Sequence, residues 1–453
     1  MIISAIPSTR PRVLIVAFAC HPDMNMETRI GWNRAVASAR DYDTTVVHSG
    51  EFSSDELSRK AASVGIPASN LKFIAVKSWM SWVPIPMDAV YWMGYRAWHT
   101  KALGIASAIH DESRFDLVHL VSYCGYREPG QWWKLGIPFI WGPVGGTQNF
   151  PTNFLREIAI GSSVREGLRN YMNNWQLYRS RRIRSAAQNA HTVFAASSEA
   201  RRDMLRGTGV HCTQLLETAV SPLRPSPSRE LDTTRPFRIL WSGRLREWKA
   251  LPLLLEALTR LPSDLKFELR VMGVGASENR WRKIAERLKI AEQVQWIGWP
   301  SYSEGLKQYR WADAFAFTSL RDTSGTGLLE SLAAGTPIIG VDHQGAHDIM
   351  TPHCSIPVSV DSPRLAVEGF KNAIFRLSRD PALWRRLSEG AVIRTRQFSW
   401  ERLSDEIDAA YQQALKPQSS SDEFWPEKQR ETVSITQPSL ASLFTPALRQ
   451  SLK

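Results

Sequence analysis

The sequence predicts an α/β protein of two Rossmann-like lobes, and two observations carry that expectation. Short apolar, β-branched runs alternate with longer helix-patterned segments along most of the 453 residues, the signature of βαβ units around parallel sheets. The alternation stops once, at residues 220–236, where Pro222, Pro225, Pro227 and Pro236 sit among serines and mixed charges without an apolar period, and then resumes. A chain of this length exceeds what one hydrophobic core usually supports, so two lobes joined by one linker are the simplest organisation.

In the first series, strands are expected at 12–19, 44–48, 73–76, 117–121, 138–141 and 192–196, with helical spacing over 27–40, 54–64, 89–109 and 198–206. In the second, strands are expected at 238–241, 267–272, 294–297, 314–317 and 337–340. Helical segments after residue 362 end near 415, and the remainder is rich in Ser, Pro, Gln and Thr, a composition that buries too little apolar surface to order. The expected division is a first lobe over 1–220, a second over 221–398, a helix over 399–415 packing back on the first, and a disordered tail over 416–453.

With 43% apolar and 22% charged residues the composition is that of a globular protein, which excludes global disorder. No run approaches the roughly 18–20 apolar residues that cross a bilayer, and residues 1–11 lack the apolar core of a signal peptide. The expected location is the cytoplasm, with peripheral contact at the inner face of the cytoplasmic membrane. Cys20, Cys124, Cys212 and Cys354 form no Cys-x-x-Cys pair and read as reduced, packed thiols. A formal charge of +12 points to an anionic partner, either nucleotide phosphates or a membrane face. Nucleic acid is set aside, because there is no zinc-finger spacing, aromatic RNA-binding signature or basic heptad region.

The most informative stretch is 318–350. Asp322 falls in a polar loop after a strand, and Glu330 stands about one and a half turns into the helix expected from Gly325 to Gly335. Between them, Ser324-Gly325-Thr326-Gly327 offers free N–H groups at the positive end of a helix, where a phosphate is favoured. One acid for sugar hydroxyls, a phosphate cradle and a second acid for a ribose diol match the three parts of a nucleotide sugar. After the first strand of the second lobe, Arg244 and Lys249 can neutralise charge on a leaving diphosphate. Each feature read alone has a plainer role: Asp322 as a helix cap, Glu330 as a solvated helix residue, Arg244 and Lys249 as a solvated pair.

On these residues, and on Leu332-Ala333-Ala334-Gly335-Thr336-Pro337 and Asp342-His343-Gln344-Gly345, the chain resembles the family 4 retaining glycosyltransferases and, within them, a bacterial surface-polysaccharide branch. The first lobe is similar too, in Ala19-Cys20-His21-Pro22, Gly31-Trp32-Asn33 and Trp141-Gly142-Pro143-Val144-Gly145-Gly146. The resemblance implies the GT-B fold, with a donor cleft between the lobes, and a metal-independent transfer of a hexose-type sugar with retention. The donor would be a nucleotide sugar, which is a substrate and not a cofactor. The acceptor would be a glycan or lipid-linked molecule in polysaccharide or glycoconjugate biosynthesis. It implies Arg244, Lys249, Gly325, Thr326, Gly327 and Glu330 as donor-binding residues, with backbone at 296–299 near the base. Asp322 and His119 would act at the transferred sugar, and Asn25, Met26, Glu27, Gly145 and Gly146 would form an acceptor-side loop.

Three departures stand out: the family's first acid is usually Glu and here is Asp322, its glycine after the lysine is Ala250, and the branch's Gly-Ser-Glu loop is Asn25-Met26-Glu27. Asp322 and Asn25-Met26 keep open a non-catalytic nucleotide-sugar or glycan-binding protein in an assembly complex. His119, on a strand, is alternatively a satisfied core histidine, and His343 with His347 lacks a third metal ligand. Two stretches of the first lobe suggest an edge resting on anionic lipid: the aromatic 79–101, and a basic one carrying Arg165, Arg169, Arg179, Arg181, Arg182 and Arg184. A packed aromatic helix and a solvated basic one would look the same.

Overall fold

A computed structural model describes residues 10–24, 26–77, 88–221 and 229–416, with the side chains of 88–91 excepted. The tail expected after 416, most of the proline-rich linker, Asn25, Trp79 and Trp82 lie outside the described residues.

The first lobe holds β1 (Arg12–Ala17), β2 (Asp43–His48), β3 (Leu71–Ala75), β4 (Leu117–Ser122), β5 (Phe139–Val144), β6 (Thr192–Ala195) and β7 (Thr213–Gln214). Its helices are α1 (Met26–Ser38), α2 (Ser54–Ser63), α3 (Asp88–Glu112), α4 (Ile160–Arg179), α5 (Arg181–Asn189) and α6 (Ser198–Thr208). The second lobe holds β8 (Phe237–Ser242), β9 (Phe267–Met272), β10 (Val294–Gly298), β11 (Ala314–Phe317), β12 (Ile338–Val341) and β13 (Ser355–Val358). Its helices are α7 (Leu251–Thr259), α8 (Glu278–Arg287), α9 (Tyr302–Trp311), α10 (Thr326–Ala333), α11 (Gly345–Ile349), α12 (Pro363–Arg379) and α13 (Pro381–Thr395), followed by α14 (Trp400–Leu415).

The sheets run in the order β3-β2-β1-β4-β5-β6-β7 and β10-β9-β8-β11-β12-β13, every ladder parallel. Strands covered on both faces should be continuously apolar, and β1, β4, β11 and β12 are buried along nearly their whole length. Two short strands were not expected from sequence: β7 has only two residues, and β13 carries Pro357, which weakens a strand signature.

In each sheet the strand order reverses beside the first strand, between β1 and β4 and between β8 and β11. A crevice opens at such a reversal, outside the carboxyl ends of the strands. The loops that leave β1, β8 and β11 therefore carry Glu27, Arg244 and Asp322 to the same place.

The lobes are not independent blocks. α14 returns to the first lobe, where Ile407, Ala410, Tyr411 and Ala414 join its core and Asp408 pairs with Arg34 at 3.1 Å. In the other direction Phe150, Phe154 and Ile158 of the first lobe pack into the second-lobe core, and Asn153 donates to the carbonyls of Val360 and Asp361. The two crossings meet where the Val220 N–H donates to the Phe398 carbonyl at 2.9 Å.

Candidate active site

The side of the crevice expected to hold a donor is built on the loop between β11 and α10. Thr318 receives the Trp241 indole N–H at 2.9 Å and donates to the Lys249 carbonyl, pinning the lysine turn against the end of β11. Lys249 Nζ then forms an ion pair with Asp322 Oδ2. Asp322 is thus no helix cap. Its own N–H donates to Gln344 Oε1 at 2.9 Å, and the Gln344 amide donates across to the Asn149 carbonyl of the first lobe at 2.7 Å. Ala250, which follows the lysine, sits at φ 47°, ψ 38°, the left-handed region a glycine enters most easily. That geometry explains why glycine suits this position.

Gly325 ends the loop at φ 68°, and α10 begins at Thr326 without a side-chain cap, so its first N–H groups stay available to a ligand. Glu330, half-buried on α10, lies against the Tyr309 hydroxyl and faces Arg29 of α1. Burial holds its carboxyl above the ordinary value, with Tyr309 and Arg29 pulling the other way. The Arg29 guanidinium stacks 4.6 Å over the ring of Tyr302 on α9, so α1 reaches both donor-side helices. Arg244 is exposed at the switch point, close enough that its charge opposes the upward shift that burial imposes on Glu27.

The first-lobe residues expected on the acceptor side meet this loop directly. A Cβ on Gly145 would come within 2.5 Å of the Thr323 side chain, and one on Gly345 would overlap the Thr323 carbonyl, so glycine at both positions lets the loop pass between the lobes. Gly146 follows at φ 82°, where a Cβ would meet only ordinary contacts with Gly125 and Tyr126. Met26 does not project as loop bulk: it begins α1, packs against the first-lobe core and receives the Thr218 hydroxyl on its sulfur.

His119 corrects the sequence expectation. It lies in the middle of β4, fully buried, with Nε2 2.8 Å from the Gly142 carbonyl and Nδ1 2.7 Å from the Tyr411 hydroxyl. A carbonyl only accepts, so Nε2 carries the proton and Nδ1 accepts from Tyr411; burial pushes the pKa down to about 3, fixing the neutral ring. Both nitrogens are used inside the fold, and the ring has none to offer a sugar. His343 and His347 do not converge either: His347 pairs with Asp342 at 2.6 Å, and no group of three metal-capable side chains occurs among the described residues.

Sequence reasoning missed Glu217. Its carboxylate, 9% exposed, accepts from the Ser324 hydroxyl at 2.6 Å across the lobe boundary, while Oε2 finds no partner among the described residues. Burial, reinforced by Asp322, raises its pKa to about 7. It also missed the Arg321–Glu166 pair, which joins the donor loop to α4 at 3.0 Å. Neither had a local signal, because each depends on a partner more than a hundred residues away.

The comparisons agree with this architecture. Residues 227–393 match the family model of glycosyl transferases group 1. The lipopolysaccharide core biosynthesis glycosyltransferase LpsE of Rhizobium meliloti is 30% identical over 189 residues, 41% of this chain and 52% of that protein. The chain spans about half or less of the length of the curated relatives it matches first. A glycosyltransferase from Rickettsia africae superposes with a TM-score of 0.62 at 16% identity, over 90% of this chain and 99% of that one. Anabaena HepE in complex with UDP and glucose gives 0.57 at 13% identity, over 89% and 100%. The second lobe is therefore similar to group 1 glycosyl transferases over residues 227–393, and together with the seven-stranded lobe in front of it completes a GT-B fold.

Proposed function

We propose that the chain transfers a hexose-type sugar from a nucleotide-sugar donor to a glycan or lipid-linked acceptor, with retention, in bacterial polysaccharide or glycoconjugate synthesis. The observation that carries this reading is the convergence at one crevice of an exposed Arg244, a Lys249 paired with Asp322 in the loop that leads to the uncapped start of α10, and Glu330 farther along that helix. Those groups suit a diphosphate followed by a ribose. The group 1 match supports the reading, as do the structures of Anabaena HepE in complex with UDP and with UDP-glucose.

In this account Arg244, Lys249 and the N–H groups of Thr326 and Gly327 take up the charge that grows on the diphosphate as the anomeric C–O bond breaks. Glu330 accepts from the ribose hydroxyls, and Asp322, oriented by Lys249 and Gln344, accepts from hydroxyls of the sugar. The departing phosphate oxygen takes the proton of the acceptor hydroxyl, which forms the new bond on the face just vacated. No protein nucleophile, metal or cofactor is assigned a step. In this reading the exposed Trp299, just after β10, would lie beside the base.

Turnover tests this directly: the purified chain is incubated with UDP-, GDP- and ADP-sugars and lipid-linked or oligosaccharide acceptors, and nucleotide release and anomeric configuration are read by NMR. An α-linked product from an α-donor is the expected result. An inverted product would overturn retention, and tight donor binding without turnover across the acceptors would favour a binding protein.

A further inference from the structure

α4 is built inside out. Its inward face is polar: the Asn173 amide donates to the Thr147 carbonyl, Asn170 exchanges hydrogen bonds with the Phe150 backbone at 2.7 and 2.9 Å, and Glu166 pairs with Arg321. Its outward face is apolar: Ile160, Val164, Leu168, Tyr171, Met172 and Trp175 are 45–85% exposed. At about 100° per residue these six fall within roughly a third of the helix circumference, one continuous stripe. A surface helix ordinarily carries the opposite polarity, and a contiguous apolar stripe of this size marks an interaction surface.

What surrounds the stripe selects the occupant. Arg165 and Arg179 on α4, and Arg181 and Arg184 on α5, are exposed. The only acid in either helix is Glu166, already buried against Arg321. An apolar face bordered by arginines and free of exposed acid fits a bilayer with anionic headgroups. A second copy of the chain would instead bring two cationic borders together.

We propose that α4 lies in the interface of an anionic membrane, with its apolar stripe among the acyl chains and the α4–α5 arginines at the headgroups. The docked face and the reaction site are then connected by single side chains. The inner face of α4 holds residues 147–150, which continue directly from Gly145 and Gly146, and Glu166 holds the loop that carries Asp322. The membrane would support the acceptor side of the crevice from behind.

The test is flotation of the full chain with vesicles of phosphatidylcholine alone or mixed with phosphatidylglycerol, beside the variants Leu168→Ser/Trp175→Ser and Arg165→Gln/Arg184→Gln. Both alter exposed side chains, and unchanged thermal unfolding verifies their fold. The expected result is binding to the anionic vesicles, weakened about tenfold or more by the apolar double variant and weakened by the arginine variant chiefly at low salt. Absence of wild-type binding to anionic vesicles would overturn the proposal, as would equal binding by the apolar variant. So would a wild-type dimer in light scattering that the apolar variant converts to monomer, since a second copy would then be the occupant.

Discussion

The two lobes share a strand order but assemble their parts of the crevice differently. In the second lobe the groups that face a donor sit close together in sequence: Arg244 and Lys249 in one turn after β8, Asp322 to Glu330 across one loop and the start of one helix. In the first lobe the groups that shape the site act through distant partners: Arg29 at Tyr302 and Glu330, Glu217 at Ser324, and Glu166 at Arg321. The second lobe thus carries a recognisable donor motif, whereas the first is defined by what it touches.

The comparison breaks most visibly at Lys249. Lys249→Ala removes a fixed cation in the loop region ahead of α10 and frees Asp322, and the account predicts a fall in kcat of about 10²–10³-fold by steady-state assay. A loss confined to KM would mean that the lysine binds donor and transition state equally.

Glu217 sharpens the first-lobe half. Its folded pKa, about 7, exceeds the ordinary 4.5, so the folded state keeps the proton longer than the unfolded chain. The stability it contributes is full below pH 4.5, declines as pH rises and levels off above about pH 7, for a total of about 3 kcal/mol. Glu199, also raised to about 7, adds a parallel decline in both proteins. Denaturant unfolding from pH 4.5 to 8 should therefore show a shallower decline in Glu217→Gln than in wild type, and identical slopes would refute the assignment.

At the strand beneath, Tyr411→Phe removes the hydroxyl bonded to His119 and should cost about 1–2 kcal/mol of stability, with turnover per folded molecule unchanged. A selective fall in kcat would restore His119 to the chemistry. The smallest effect is expected at Ala250→Gly, which relieves a left-handed alanine and should change stability by about 1 kcal/mol or less, in the stabilising direction.

The contrast between lobes also explains what could be read from the sequence. Strand alternation and the proline-rich break are local patterns, so the GT-B architecture was legible, and the 322–330 spacing is local too, so the loop that reaches the crevice could be singled out. Glu217 and Arg29 carry no local signature, and their roles appear only when the lobes meet. His119 misled because the end of a strand and its buried middle look alike until Tyr411, 292 residues on, covers the ring. α4 was legible only as a basic stretch: helical spacing of apolar residues ordinarily lies inward, whereas here the backbone of 147–150 and Arg321 require the helix's polar side.

The central claim is that the second lobe grips a nucleotide-sugar donor through Arg244, Lys249 and Glu330. Isothermal titration of UDP, GDP, ADP and their sugar conjugates into the full chain, beside folded Glu330→Ala and Arg244→Ala, tests it most directly. The account predicts that one nucleotide class binds the wild type and loses about tenfold or more in affinity in each variant. Equal binding by the variants, or no binding of any nucleotide at millimolar concentration, would contradict it.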